Sequence, residues 1–315
     1  MARTFPPHAH LAIALTIGHA GIWNAACVSA ATEHTGAERI VSFAPSNTEL
    51  IYATGGGSKI VGVCSYCDYP IDVKHKTIVG NFVSANLERI ARIKPDKVLL
   101  VNGQEGLAGM LEHSGYQVQI VKNRHLSDIS ANVRVLSSLT GNTASGERVA
   151  QSFDNCLQEL SKIIGKSPSP AKVFYCVWPA PLLTIGKGSY LTDVITACGG
   201  TSISSSLSAD YPHFSIERLM LANPDVIVMP YEVKDHSFLN KHPWVTLKAV
   251  KNNRVYFLPE PKEDGLARPT LRLTKGLLWL SEKIQPQLSG ELQNWYGRAE
   301  KALNTTTPSL TSTPQ

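Results

Sequence analysis

The chain has 315 residues, of which 43% are hydrophobic and 17% charged, so it can bury the cores of two domains of ordinary size. Its net charge of +5 is spread along the chain, without the basic and aromatic runs that bind nucleic acid. The 10 histidines form no HExxH motif and no histidine-rich loop, so no metal site is predicted.

The amino terminus has the pattern of an export signal. Arg3 precedes an apolar stretch at 11–26, and small residues follow, so residues 1–31 are predicted to be a signal peptide cleaved after Ala30 or Ala31. The apolar stretch of 16 residues is shorter than a bilayer span, which needs about 20. An alternative is that Cys27 is lipidated and anchors the protein. Either way we expect export to the periplasm.

The body of the chain begins with alternating strand and helix patterns. Residues 38–44 predict a buried strand, followed by a helix opened by Pro45, with Ser46 as N-cap and Glu49 completing a capping box. Further strand and helix segments continue to residue 125, which predicts an N-terminal lobe at 32–125 with a parallel sheet.

Two consecutive helices are predicted next, and then the strand pattern returns. The helices fall at 126–141 and 143–166, within a helical segment at 126–170, and the second has apolar residues at helical spacing. A strand at 172–178, a helix ending at Gly199 and a last helix at 269–285 indicate a C-terminal lobe at 171–290. Residues 291–315 are expected to be an extension, disordered from about residue 305.

The remaining cysteines are Cys64, Cys67, Cys156, Cys176 and Cys198, an odd number for an oxidising compartment. The C-x-x-C at 64–67 allows a redox pair or half of a zinc site, but no second pair completes four ligands, and the motif follows a strand. Packing thiols or a local bridge are the favoured interpretation, and a thiol-dependent enzyme is the alternative.

One segment is repeated in the chain. Residues 86–100 and 215–229 carry the same pattern at a constant offset of 129 residues, which aligns Glu88, Arg89, Pro95 and Asp96 with Glu217, Arg218, Pro224 and Asp225. An amphipathic Glu-Arg helix ends at Pro-Asp, and an apolar strand follows in both copies. The offset exceeds solenoid spacing, so it predicts two similar lobes.

Six strings in order resemble the substrate-binding proteins of ABC importers: RIVSFAPSNTELIYATGG, GVCSYCDYP, NLERIARIKPDKVLL, WPAPLLTIGKGSYLTDVITACGG, SIERLMLANPDVIVM and ARPTLRL. The chain is most similar to the class that captures cobalamin, haem or ferric siderophores. The resemblance implies an α/β fold, with two parallel-sheet lobes joined by a single long rigid helix and the ligand between them. It also implies a monomer that delivers its ligand to a permease dimer and needs no cofactor.

Aromatic plates and a few polar groups suit a large tetrapyrrole-like ligand. By resemblance to cobalamin-binding members, the candidate ligand contacts are Tyr66, Phe82, Tyr211, Asp264 and Arg268, and Trp178 is added from its place after a strand. Phe82 and Val101 stand where tryptophan occurs in that family. Arg268 and Arg272 would also suit an anionic iron chelate, so haem or a ferric siderophore remains an alternative ligand.

The resemblance assigns Glu88 and Glu217 to permease docking, one on each lobe. The alternative is that each pairs with neighbours on a solvated helix face. A sensor or scaffold that docks without carrying ligand is another hypothesis. The sequence has no GxSxG and no P-loop, so catalysis is not predicted.

Overall fold

The computed structural model describes residues 37–167, 169–260 and 265–307. The predicted signal at 1–31, with Cys27, and the candidate Asp264 lie outside the described residues. None of the helices in these ranges is both long and apolar enough to cross a membrane.

The first lobe contains a parallel sheet formed by β1 Ile40–Ser42, β2 Ile60–Cys64, β3 Thr77–Gly80, β4 Lys97–Val101 and β5 Val118–Val121. The strand order across the sheet is β3-β2-β1-β4-β5. Its helices are α1 Pro45–Ala53, α2 Leu87–Ile93 and α3 Glu105–His113. Central strand β1 is wholly buried, as expected for a parallel sheet covered on both faces.

The predicted capping box at the start of α1 is wrong. Ala44 is the N-cap and makes no side-chain cap, while Pro45 occupies the start of the helix, where its missing N–H costs nothing. Ser46 and Glu49 are both buried. Glu49 is therefore free to make a contact far away in the sequence.

Two antiparallel helices lead from the first lobe to the second. They are α4 Asp128–Leu139 and α5 Thr143–Ile164, close to the predicted bounds. The buried face of α5 has helical spacing and includes Val149, Phe153, Leu160 and Ile163. This helix of 22 residues is the long connector between the lobes.

The second lobe has a sheet formed by β6 Ala171–Pro179, β7 Leu182–Thr184, β8 Gly200–Ser202, β9 Val226–Met229 and β10 Val255–Phe257. The strand order is β10-β9-β6-β7, with β8 also paired to β6. Its helices are α6 Tyr190–Ala197, α7 Ile216–Ala222, α8 Lys248–Lys251 and α9 Leu273–Ile284. The β6–β7 pair is antiparallel and the other pairs are parallel.

The two copies of the repeat have the same local structure. Asn86 caps α2 and Ser215 caps α7, each by accepting a hydrogen bond from an arginine amide three residues later. Both helices end in a left-handed residue, Lys94 or Asn223, each with φ of 44°. The predicted duplication is confirmed at the level of caps and turns.

One hydrophobic core extends through both lobes. It joins Val41 and Leu99 of the first sheet to Phe153 of α5 and to Val173 and Val228 of the second sheet. Alternate residues of the second sheet point to its other face, where Phe174, Ile227 and Met229 form a smaller cluster. The two lobes therefore share one hydrophobic core through α5.

The predicted extension is mostly a helix. α10 Ser289–Thr306 packs on α5 and α9, and it buries Leu292, Trp295, Ala299 and Leu303. The Trp295 indole donates a hydrogen bond to the Cys156 carbonyl, 2.8 Å away. The helix ends at Thr306. Residues 308–315 lie outside the described ranges, so the disorder predicted from about residue 305 stays a prediction.

Candidate functional site

A cavity of about 840 Å³ lies between the two lobes. Segments following the strands of the first sheet supply Ala44, Ser46, Tyr66, Asn81, Phe82, Val83, Asn102, Gly103 and Asn123. The second lobe supplies Tyr190, Asp210, Tyr211, Ala267, Arg268 and Pro269. Ligands of parallel α/β sheets bind at the carboxyl ends of the strands, and all five strands of the first lobe end at this cavity.

Aromatic rings stand on both walls of the cavity. Tyr66 and Phe82 come from the first lobe and are 59% and 37% exposed, and Tyr211 comes from the second lobe and is 54% exposed. Large apolar rings left uncovered at a cavity mark a binding surface. These three predicted residues are thus brought together, and the contact of each with a ligand stays a prediction.

The loop that carries Phe82 is held by two polar side chains. Asn81 Oδ1 accepts hydrogen bonds from the amides of Val83 and Ser84, both at 2.9 Å. Gln104 is buried, and its Nε2 donates to the Phe82 carbonyl at 2.6 Å. Sequence reasoning missed both residues. The Asn81 turn follows a common asparagine pattern and could have been found, whereas nothing local predicted Gln104.

Hydrogen bonds among asparagines hold the part of the cavity that lies beside the ends of β4 and β5. Asn102 Oδ1 accepts from the Asn123 amide, and the Asn123 side-chain oxygen accepts from Asn132 Nδ2, each at 2.9 Å. Buried polar groups that are satisfied in this way hold their positions. The first wall is therefore held by hydrogen bonds within the first lobe and to α4.

Arg268 connects the two lobes at one edge of the cavity. Its Nη1 donates to Glu49 Oε1 at 2.8 Å and to Asp68 Oδ1 at 2.6 Å, and its Nη2 lies 3.4 Å from the Tyr66 carbonyl. We call Arg268, Glu49 and Asp68 the interlobe clasp. Glu49 was predicted to cap its own helix and was not recognised as a site residue.

The two carboxylates of the clasp are affected differently by their surroundings. Burial of Glu49 raises its pKa above 4.5, and this effect outweighs the opposing hydrogen bond and charge of Arg268. Partial burial acts in the same direction at Asp68, but there Arg268 prevails and lowers the pKa below 3.8. Asp68 is therefore the partner that keeps its charge most firmly.

The interlobe clasp leaves Arg268 and Arg272 fewer hydrogen-bond donors for an anionic ligand. Nη1 and Nη2 of Arg268 face protein acceptors. Arg272 Nη1 lies 3.7 Å from Glu49 Oε1, and the Arg272 guanidinium lies over the Tyr69 ring. Arg272 does not line the cavity. An anionic chelate would have to compete with Glu49 and Asp68 for Arg268.

One predicted contact is placed elsewhere. Trp178 lies at the β6–β7 hairpin, opposite Leu183, and its indole donates to the Ala180 carbonyl at 3.0 Å. It is not among the residues that line the cavity. Asp264 cannot be located, because it lies outside the described residues.

The two predicted docking residues occupy equivalent helix starts. Glu88 is in the first turn of α2 and pairs with Arg92 at 2.6 Å, yet remains 74% exposed. Glu217 is in the first turn of α7 and is exposed, and hydrogen bonds from its own amide and from Ser215 lower its pKa. Neither residue lines the cavity.

The described residues contain no cluster of three or more histidine, cysteine or acidic side chains able to hold a metal ion. The arrangement of the cavity suits the binding of one sizeable molecule with apolar faces and polar edges.

Comparison with known proteins identifies the family to which the chain belongs. Residues 40–261 match the family described as periplasmic binding protein. The vitamin B12-binding protein of Vibrio cholerae is 33% identical over 243 residues, which cover 75% of this chain and 85% of that protein. An uncharacterised ABC transporter substrate-binding lipoprotein of Bacillus subtilis, YvrC, is 29% identical over 258 residues, or 79% of this chain and 80% of its own.

Solved structures show the same fold. The vitamin B12-binding protein BtuF of Vibrio cholerae aligns with a TM-score of 0.65 at 30% identity, over 84% of this chain and 99% of that one. A periplasmic haem-binding protein of Pseudomonas aeruginosa aligns with a TM-score of 0.66 at 22% identity, over 79% and 93% of the two chains. The latter likeness concerns the fold alone.

The chain belongs to the periplasmic binding protein family. It is an exported substrate-binding protein of the ABC importer class, with two α/β lobes, and it is not an enzyme.

Proposed function

We propose that this protein captures cobalamin or a related corrinoid in the cleft between its lobes and delivers it unchanged to an ABC importer. The observation that carries the proposal is the 33% identity to a vitamin B12-binding protein, combined with a cavity between the lobes edged by Tyr66, Phe82 and Tyr211. A corrin ring has broad faces and amide edges, which match aromatic plates alternating with asparagines.

Haem or a ferric siderophore is the second candidate ligand. A possible iron-binding protein of Staphylococcus epidermidis has the same fold, with a TM-score of 0.69 at 26% identity. The clasp weighs against a ligand held through Arg268, because that guanidinium already has two carboxylate partners. The uncharged face of a corrinoid can bind without a hydrogen bond from Arg268.

Calorimetric titration with cyanocobalamin, haem and several ferric chelates tests the choice of ligand. We expect cyanocobalamin to bind with a Kd of about 1 µM or tighter and the others much more weakly. Absence of cyanocobalamin binding would reject the corrinoid, and tight binding of an iron compound would replace it. If nothing binds while the protein still associates with a permease, the sensor or scaffold function gains support.

Delivery requires a permease, and Glu88 and Glu217 are proposed as its contact points. Two equivalent helix starts on two similar lobes suit two equivalent permease subunits. Exposed ion pairs contribute about 0–1 kcal/mol each, so the glutamates would act on orientation and encounter rate as much as on affinity. We also propose that the protein is a monomer, and that it is either free in the periplasm or anchored through Cys27.

A further inference from the structure

Cys64 and Cys67 occupy the two ends of one tight turn. Cys64 is the last residue of β2, and the Cys67 amide donates to the Cys64 carbonyl at 3.1 Å, which defines a β-turn over residues 64–67. The two sulfur atoms are 3.4 Å apart. The ends of a β-turn are less than about 7 Å apart between Cα atoms, within reach of the spacing that a disulfide requires.

No other cysteines in the described ranges approach each other in this way. Cys156, Cys176 and Cys198 are buried separately in the core, and burial raises the pKa of each thiol. In the described part of the chain, the pair at 64–67 belongs to no group of three or more histidine, cysteine or acidic side chains that could hold a metal ion. It is therefore a dithiol placed for bond formation in a protein that is exported to an oxidising compartment.

The same turn carries part of the ligand cavity and part of the interlobe clasp. Tyr66 is a central residue of the turn and lines the cavity, and Asp68, which follows Cys67 directly, holds Arg268. Arg268 also approaches the Tyr66 carbonyl. The conformation of four residues thus sets the positions of an aromatic wall and of a contact between lobes.

We propose that Cys64 and Cys67 form a disulfide in the exported protein, and that this bond holds the turn in the conformation the ligand needs. The part concerning the ligand rests on the proposed function, whereas the bond itself does not. A loop this short removes little chain entropy, so we expect the effect to be local to the turn.

The oxidant is a protein disulfide of the thiol-oxidase class. The thiolate of one of the two cysteines attacks that disulfide and releases one oxidant thiolate, and the thiolate of the other cysteine then attacks the sulfur of the first and releases the second. The cysteines lose two protons and two electrons, and the oxidant becomes a dithiol. Because Cys64 is 0% and Cys67 9% exposed, exchange occurs while the exported chain folds or when the turn opens.

The bond is tested on full-length protein purified after export, without reductant. Alkylation under denaturing conditions followed by peptide mass mapping should show residues 64–67 as an unlabelled peptide, about 2 Da lighter than its dithiol form, and labelled at both cysteines after prior reduction. Cys156 and Cys198 serve as internal controls, since each should be labelled in both samples. Labelling of Cys64 and Cys67 without prior reduction would overturn the proposal.

The effect on the turn is measured by hydrogen exchange at residues 65–69 and by titration with cyanocobalamin. Reduction should accelerate hydrogen exchange at residues 65–69 and raise the Kd for cyanocobalamin about fivefold. In a Cys64→Ala/Cys67→Ala variant, reductant should change neither the exchange nor the Kd. A disulfide whose reduction changes neither exchange nor affinity would refute the positioning role. If cyanocobalamin binds no form, the proposed function fails, and labelling and exchange still decide this inference.

Discussion

Arg268 donates a hydrogen bond to Glu49 across 219 positions of sequence, with Nη1 and Oε1 2.8 Å apart, and so ties the second lobe to the first helix of the chain. Glu49 is 4% exposed in its side chain, and its second carboxylate oxygen has no hydrogen-bond partner among the described residues. A buried carboxylate of this kind depends on its cationic neighbours.

Replacing Arg268 should therefore destabilise the protein through Glu49. We expect Arg268→Ala to lower the free energy of unfolding by about 3–5 kcal/mol, because the change leaves the buried Glu49 carboxylate without its main partner. The nearby guanidinium of Arg272 should reduce this loss, since it still attracts the Glu49 carboxylate. Arg268→Ala/Glu49→Gln should recover most of the loss in urea unfolding at neutral pH. The control is Arg298→Ala, which breaks an exposed pair with Glu159 and should cost about 0–1 kcal/mol. A double variant as unstable as the single one would contradict this account.

The two carboxylates of the clasp should give opposite pH dependences. Since the folded pKa of Glu49 is raised, its contribution to stability is complete below its unfolded value of 4.5 and is lost as the pH rises through the folded pKa. Since the folded pKa of Asp68 is lowered, its contribution is present above 3.8 and is lost as the pH falls through the folded pKa.

Unfolding free energies measured from about pH 3 to 7 for the wild type, Glu49→Gln and Asp68→Asn check these signs. Wild type should lose stability relative to Glu49→Gln as the pH rises above 4.5, and relative to Asp68→Asn as the pH falls below 3.8. Parallel curves for all three proteins would show that the clasp does not titrate in this way.

The aromatic walls should determine ligand affinity. We expect Phe82→Ala and Tyr211→Ala each to raise the Kd for cyanocobalamin about tenfold in calorimetric titration, because each change removes a ring from one side of the cavity. Gln104→Ala should also weaken the affinity for cyanocobalamin, because it removes the hydrogen bond that holds the loop of Phe82. Trp178→Ala is the matched control and should leave Kd unchanged. A large effect at Trp178 would mean that the ligand extends beyond the cavity described above.

Permease docking should be separable from ligand capture. Glu88→Ala/Glu217→Ala should reduce vitamin uptake in a reconstituted importer while the Kd for cyanocobalamin stays the same, since neither residue lines the cavity. Glu112→Ala, an exposed change on α3, should affect neither measurement. Unchanged uptake in the double variant, or a loss of ligand affinity, would reject the docking role.

The carboxyl-terminal helix should be essential for stability. Trp295 is 0% exposed and its indole is hydrogen-bonded to Cys156, so Trp295→Ala should lower the free energy of unfolding by about 3–5 kcal/mol. The comparison is Trp178→Ala, at a half-exposed tryptophan, for which we expect a loss below about 1 kcal/mol. A loss from Trp295→Ala as small as that expected for Trp178→Ala would show that α10 adds little to the core.

Local pattern was sufficient for the elements and for the duplication. The alternation of apolar strands with amphipathic helices predicted two parallel-sheet lobes, and the spacing of Val149, Phe153 and Leu160 predicted the long helix α5. The order of residues in each repeat predicted its helix, its turn and its strand. Such features depend on neighbours within about four positions, so they can be predicted from the sequence alone.

Contacts between distant segments had to come from the tertiary structure. A capping box and an interlobe ion pair are equally consistent with Glu49 in the sequence, and only the approach of Arg268 decides between them. Gln104 supports Phe82 and Trp295 completes the core beside α5, yet neither has a local pattern that reveals its partner. Long-range packing places these groups, because their partners come within reach only when both lobes have folded around α5.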